Sequence, residues 1–255
     1  MSEPVLSIRN MVKRFGGLTA VNDVSLDINA GEVVALLGDN GAGKSTLIKC
    51  LTGVHRLDSG TVRIDGDEVH IASPAAARSL GIETVYQDLA LFDNLSPAAN
   101  FHAGRETARP RWLPRPLRLL DRRAMADATT EVLERLQVSL PDRNAPVGLM
   151  SGGQRQVISV ARAAAFASKV VILDEPTAAL GLRESRRVLD LITRLRDGGQ
   201  AVIVISHALD HVTEVADRAV VMRRGRKVGE EVPTAETQPR IVALIVGSSA
   251  PPSTS

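Results

Sequence analysis

The run Gly38-Asp39-Asn40-Gly41-Ala42-Gly43-Lys44-Ser45 has the residue types needed to hold a phosphate chain. It follows the spacing G-x-x-x-x-G-K-[ST], with a short apolar run before it and a helical stretch after it. Glycines allow a tight wrap that turns successive backbone N–H groups toward one point. The positive end of the following helix dipole faces the same point. Lys44 can reach β- and γ-phosphate oxygens, and the Ser45 hydroxyl can bind Mg²⁺. The expected nucleotide contacts are therefore Gly38, Asp39, Asn40, Gly41, Ala42, Gly43, Lys44, Ser45 and the adjoining Thr46. A glycine-rich turn with no ligand is the competing reading, and the flanking strand and helix weigh against it. The motif implies a nucleoside triphosphate without specifying the class of enzyme.

A second place for chemistry is Val170-Val171-Ile172-Leu173-Asp174-Glu175, an apolar run ending in two acids. A strand here, running beside the one that feeds the phosphate loop, brings Asp174 to the Mg²⁺ directly or through a water. Glu175 then stands where a general base polarises the attacking water. Two acids can also simply end a strand at a solvated turn. Their pairing with the phosphate loop favours the catalytic reading.

These groups need a scaffold, and the hydrophobic pattern supplies one. Val33–Leu37, Ile82–Tyr86, Val170–Leu173, Ala201–Ile205 and Ala219–Met222 read as strands, the first two of them buried on both faces. Val5–Ile8 and Val24–Ile28 cluster as two earlier strands. Helices are expected from Lys44 to about Thr52, from Pro74 to about Leu80 behind the N-cap Ser73, and from Arg123 to Leu136. Others follow from Ser151 to about Ala167, from Arg183 to Arg196, and up to about Val215. Strands alternating with helices imply parallel pairing through right-handed crossovers. Between Gly104 and Arg123, seven arginines and three prolines surround Trp112, in a segment that reads as part of a mostly helical insert. The tail from Gly247 to Ser255 is rich in Ser, Pro and Ala and reads as disordered. No internal repeat occurs, so the chain carries one nucleotide-binding unit.

Met150-Ser151-Gly152-Gly153-Gln154-Arg155-Gln156 resembles the L-S-G-G-Q signature of ABC ATPases, with methionine in place of the leading leucine. Ser151, Gly152, Gly153 and Gln154 open a helix, which makes a second N-terminus suited to phosphate, although such a run can also be a plain cap. Further elements match that family in order. Gln87 resembles the glutamine that touches Mg²⁺ and water and senses the permease. His207 resembles the histidine that bonds the γ-phosphate, and Phe15 the aromatic that stacks on adenine. Taken singly, Gln87 could be an ordinary polar strand end, His207 structural, and Phe15 part of the core. Pro176 to Gly181 occupies the loop that crosses to a second protomer, with Gly181 where the family commonly has aspartate.

The resemblance covers about residues 5 to 230. It implies an α/β fold with a P-loop NTPase core and a mainly parallel sheet. An N-terminal antiparallel β subdomain and an inserted helical subdomain at about residues 90–160 would complete one domain over residues 1–246. It also implies ATP and Mg²⁺ as cofactors. In the implied head-to-tail dimer, the signature of one protomer closes over ATP held by the other.

Composition agrees with a globular enzyme. The 255 residues are 44% hydrophobic, and 31 basic against 29 acidic residues leave a net charge of +2. That balance argues against a dedicated nucleic-acid binder. Cys50 is the sole cysteine, so no internal disulfide forms. No run approaches the ~20 apolar residues that span a bilayer. Membrane association is therefore expected to be peripheral, at the cytoplasmic face, through separate transmembrane permease subunits. Glu175 to Gly181, Thr84 to Leu91, Leu95-Ser96 and Gly104-Arg105-Glu106 resemble the ATPases of simple-sugar importers. That implies a periplasmic or extracellular solute-binding protein, and either a homodimer or a pair with a second ATPase subunit. The alternatives are the ATPase of an exporter or lipid transporter with a separate permease, and a non-transport ABC protein. The arginine-rich segment could face the permease or anionic lipid, or be a solvated loop.

Overall fold

The computed structural model describes residues 3–109, 119–140 and 142–248. Near the N-terminus, β1 (Leu6–Phe15) and β2 (Leu18–Ile28) form a long antiparallel hairpin that turns at Gly16-Gly17. The hairpin exceeds the expected Val5–Ile8 and Val24–Ile28 because register shifts near Met11 and Lys13 let polar residues continue the ladder. The next strand is β3 (Val33–Leu37), followed by the phosphate loop and α1 (Lys44–Leu51). Strands β4 (Ser59–Ile64) and β5 (Asp67–Val69) join the hairpin in a four-stranded sheet of order β2-β1-β4-β5.

The second sheet holds the catalytic candidates. It contains β3, β6 (Ile82–Val85), β9 (Val170–Asp174), β10 (Ala201–Ile205), β11 (Arg218–Arg223) and β12 (Arg226–Glu231), in the order β12-β11-β3-β10-β9-β6. All its pairings are parallel except β11 with β12. The expectation that β9 lies beside β3 is corrected, because β10 stands between them. All five residues of β10 are buried, so it takes a slot covered on both faces. Ile205 pairs with both Leu36 and Asp174, so the three strand ends stay level. Two strand spacings, about 10 Å, separate the phosphate loop from the acids, and both line one cleft.

Period-two alternation divides the core. Val34, Leu36, Val170, Ile172, Ala201, Ile203 and Ile205 face one cluster, shared with α1 and the antiparallel sheet. Val33, Val171, Leu173, Val202 and Val204 face the other. There they meet α5 (Gly152–Phe166) and α6 (Leu182–Asp197), with Phe101 of α3 (Pro97–His102) and Leu133 of α4 (Arg122–Arg135). Beyond β11 the chain returns through α8 (Gln238–Val246), which packs with α7 (Leu209–Val215) against Ala35, Leu37 and Val221. Ser and Asp caps start half of the α-helices among the described residues, α2 (Pro74–Ser79), α3, α4 and α5, as their side chains dictate. Ser73 Oγ accepts from the Ala76 N–H ahead of α2, and Ser96 and Asp121 do the same for α3 and α4.

The arginine-rich stretch lies partly outside the described residues, which omit 110–118. Its flanks pair as β7 (Ala108–Arg109) with β8 (Leu119–Leu120). Arg105 is engaged within the chain, bonding Glu83 with its guanidinium 4.3 Å from the Phe166 ring. Of the expected tail, residues 249–255 lie outside the described residues. Gly247 itself closes α8 in a left-handed conformation. Cys50 is buried in α1, and burial pushes its thiol up to about 11.

Candidate functional site

The phosphate loop leaves β3 at a point where only glycine fits. A Cβ on Gly38 would lie 2.2 Å from Met222 O, and one on Gly43 would lie 2.4 Å from Ala20 O. Both residues also have positive φ, 144° and 102°, where L side chains are strained. Lys44 opens α1, and its buried Nζ donates to the Gly38 carbonyl (2.5 Å) and the Asp39 carbonyl (3.0 Å). Burial lowers its pKa, against the opposing charges of Glu175, Asp174 and Asp39.

Around the loop runs a cleft of about 620 Å³. Phe15, Asp39, Asn40, Gly41, Ala42, Gly43, Lys44, Ser45, Thr46, Gln87, Asp174, Glu175 and His207 all line it. Phe15 is 43% exposed, so it is not a core residue. Its ring stands edge-on to His55 with centroids 5.1 Å apart, and Lys13 Nζ lies 5.3 Å from its centre. Gly38 sits at the strand end behind the loop, off the cleft wall.

Glu175 follows β9 in a left-handed conformation, φ 51°, with its N–H donating to Ile205 O at 2.9 Å. That bond ties the end of β9 to the end of β10, which carries His207 two residues on. His207 Nε2 stands 3.1 Å from Glu175 Oε1. The contact does not have hydrogen-bond geometry, and Oε1 is buried with no donor. Thr177 Oγ1 and His211 Nδ1, 3.0 Å apart, join the same two segments a turn further back. Burial raises the Asp174 carboxyl above its ordinary range, with Lys44 opposing. Burial also raises Glu175, with His207 opposing and Asp174 adding to the rise. Ser45, Gln87 and Asp174 share the wall and all offer oxygen donors, the chemistry that Mg²⁺ accepts.

Gln87 comes from the loop after β6. Tyr86 beside it donates to Thr52 Oγ1 at 3.0 Å. From α5, Ser159 Oγ and Arg162 Nη2 each donate to Leu89 O at 3.1 Å. Ser151, Gly152, Gly153 and Gln154 open α5 away from this cleft, and none of them lines it. They form a capping box in which Ser151 Oγ accepts from the Gln154 N–H (3.3 Å) and Gln154 Oε1 accepts from the Ser151 N–H (2.9 Å). Gly152 faces open space, whereas a Cβ on Gly153 would strike the Glu184 side chain.

The cleft also has walls that the motifs do not announce. Thr19 and Ala20 come from β2, and Arg224 and Gly225 from the turn between β11 and β12. A readable trace of that turn was the Arg-Gly pair between two strand-like runs, where hairpins usually carry Asn-Gly or Asp-Gly.

A phosphate loop, an acid-ended parallel strand and a histidine around one cleft define a P-loop nucleoside-triphosphatase. The ABC transporter family profile matches residues 21–178, and the chain belongs to that family and is an ATPase. It is 47% identical to the fructose import ATP-binding protein FrcA of Rhizobium meliloti, over 98% of this chain and 96% of that one. It is 46% identical to the xylose/arabinose import ATP-binding protein XylG of Sulfolobus acidocaldarius, over 87% and 86%. The crystal structure of the ADP conformation of an ATP-binding cassette of an ABC transporter matches with a TM-score of 0.81. That match has 26% identity and covers 97% of this chain and all of the other. Among the described residues, no helix is long and apolar enough to cross a membrane.

Proposed function

We propose that this chain powers import of a small sugar, a monosaccharide, by hydrolysing ATP beneath a separate permease at the cytoplasmic face of the membrane. The observation that carries the ATPase reading is the convergence of Lys44, Ser45, Gln87, Asp174, Glu175 and His207 on one cleft. The sugar is supported by relatives that import fructose and xylose or arabinose. A solute-binding protein outside the membrane would deliver it.

Phe15 stacks on the adenine, and the loop amides with Lys44 hold the β- and γ-phosphates. Ser45, Asp174 and Gln87 would hold Mg²⁺, which when bound offsets charge on the phosphate oxygens. Glu175 Oε1, buried without a donor, accepts a proton from the attacking water. His207 steadies that carboxylate and reaches the γ-phosphate. Ser151, Gly152, Gly153 and Gln154 complete the site of a second copy, or of a paired ATPase subunit. Their amides then stabilise charge that develops in the transition state.

Glu175→Gln keeps ATP binding and lowers turnover at least ~100-fold. Equilibrium binding and phosphate release measure the two separately, and normal turnover in the variant refutes the assignment. With permease and binding protein in vesicles, labelled monosaccharide enters only with ATP. ATP-driven efflux instead would point to an exporter.

A further inference from the structure

Arg224 and Gly225 line the nucleotide cleft, and no motif of the chain accounts for them. They are the central pair of the β11–β12 turn, whose flanking residues Arg223 and Arg226 are paired across the hairpin. Both have positive φ, 48° and 78°. That is the geometry two-residue hairpins favour, and it selects Asn-Gly or Asp-Gly because short polar side chains tolerate it. A long arginine in the first position is strained. Strain of this kind persists where the surroundings impose it, and it gathers at functional sites.

The turn is fastened to the site on two sides. The Gly225 N–H donates to Ala42 O of the phosphate loop (2.9 Å), and the Asn22 N–H of β2 donates to Gly225 O (2.7 Å). A Cβ on Gly225 would come within 2.9 Å of Ala20 O and 3.3 Å of Thr19 O, and one on Gly43 within 3.3 Å of Gly225 Cα. The turn thus fills the seam between the wall carrying Phe15, Thr19 and Ala20 and the loop carrying Lys44. Neighbouring arginines are engaged, Arg218 with Glu32 and Arg223 with Leu244 O. Arg224 is exposed and makes no ion pair or hydrogen bond among the described residues. A guanidinium only donates, and phosphate oxygens are the acceptors that suit its fork.

We infer that Arg224 is a nucleotide-binding residue that donates to the ribose and α-phosphate end of ATP, between the adenine platform and the β- and γ-phosphates held by Lys44. This rests on the cleft being the ATP site proposed above.

The test compares binding of ATP, ADP and AMP by wild type, Arg224→Asn, Arg224→Lys and Lys44→Ala, together with thermal melts of the ligand-free proteins. Arg224→Asn weakens ATP and ADP equally, by about tenfold, and weakens AMP as well. Arg224→Lys falls between it and wild type. Asparagine suits the turn, so Arg224→Asn also raises the melting temperature. Weaker binding in a more stable protein is a combination that a purely structural turn residue cannot give. Unchanged ATP and ADP affinity in Arg224→Asn, beside a clear loss in Lys44→Ala, overturns the inference and leaves the ATP site standing. Loss for ATP with ADP unchanged overturns it too, since the contact would then be to the γ-phosphate. Lys44→Ala binding as tightly as wild type overturns both the inference and the site.

Discussion

Burial raises the Glu175 carboxyl, His207 opposes the rise and Asp174 adds to it. A group raised in the folded state holds its proton more tightly there than in the unfolded chain. Its contribution to stability is complete below the ordinary carboxylate value and is lost as pH rises through the folded value. At neutral pH, above the ordinary carboxylate value, the burial of Glu175 therefore works against the stability of the ligand-free protein. Glu175→Gln removes that penalty, so the ligand-free variant melts roughly 1–3 °C above wild type at pH 7. The difference closes as pH falls below the ordinary carboxylate value. Calorimetry between these values checks it, and a variant that melts below wild type at pH 7 shows the carboxylate to be structural. The phosphate loop was legible from its own spacing, because phosphate chemistry restricts which side chains serve where, whereas Gln87, His207 and Phe15 were legible only from their order along the chain. Arg224 was not, because a turn far along the chain from the phosphate loop reaches the cleft only through tertiary packing.

The elements that run on continuous apolar sequence were readable. The strand Val33–Leu37 and the strand Ala201–Ile205 stand where the hydrophobic runs place them. Polar or short elements escaped. β12 reads Arg-Lys-Val-Gly-Glu-Glu and lies at a sheet edge, where burial imposes no pattern. The helix α3 is only six residues long, though Ser96-Pro97 repeats the capping signal of Ser73-Pro74. Strand order also escaped, because parallel crossovers leave open which strand takes the slot beside β3. At this scale Asn100 of α3 is a keystone, fully buried. Its Oδ1 accepts from the Phe92 N–H (2.7 Å), and its Nδ2 donates to the carbonyls of Phe92 (3.0 Å), Leu95 (3.2 Å) and Ser96 (3.2 Å). These bonds close the loop that follows the Gln87 segment. Asn100→Ala leaves the Phe92 N–H without a partner, while the three carbonyls keep the backbone N–H groups of Leu95, Val147 and Asn100, and it destabilises the protein by about 1–3 kcal/mol. Urea unfolding measures it, and a change under about 0.5 kcal/mol would mean that water replaces the side chain.

For the whole molecule, the separation of the signature from the cleft is the decisive fact. One helix N-terminus, that of α1, lies against the phosphate loop, while that of α5 opens elsewhere with Gly152 facing empty space. A second copy of the chain, turned head to tail, would bring each signature over the other's cleft and give two equivalent sites. This arrangement makes a prediction that no single-chain mechanism shares. Lys44→Ala destroys the phosphate grip but leaves the signature intact. Gly152→Asp has room to fold, and in that arrangement it would set a carboxylate against the γ-phosphate held by the partner. Each variant alone has two broken sites and is inactive. Mixed in equal amounts with random pairing, half the dimers are hybrids, and each hybrid holds one site with both halves sound. ATPase activity then returns to about a quarter of wild type, when one sound site suffices for turnover. Activity of the mixture no higher than the sum of the separate variants, with hybrids demonstrated by differential tagging, would show that such a site does not turn over. Full activity of Gly152→Asp alone would show that the signature has no part in hydrolysis.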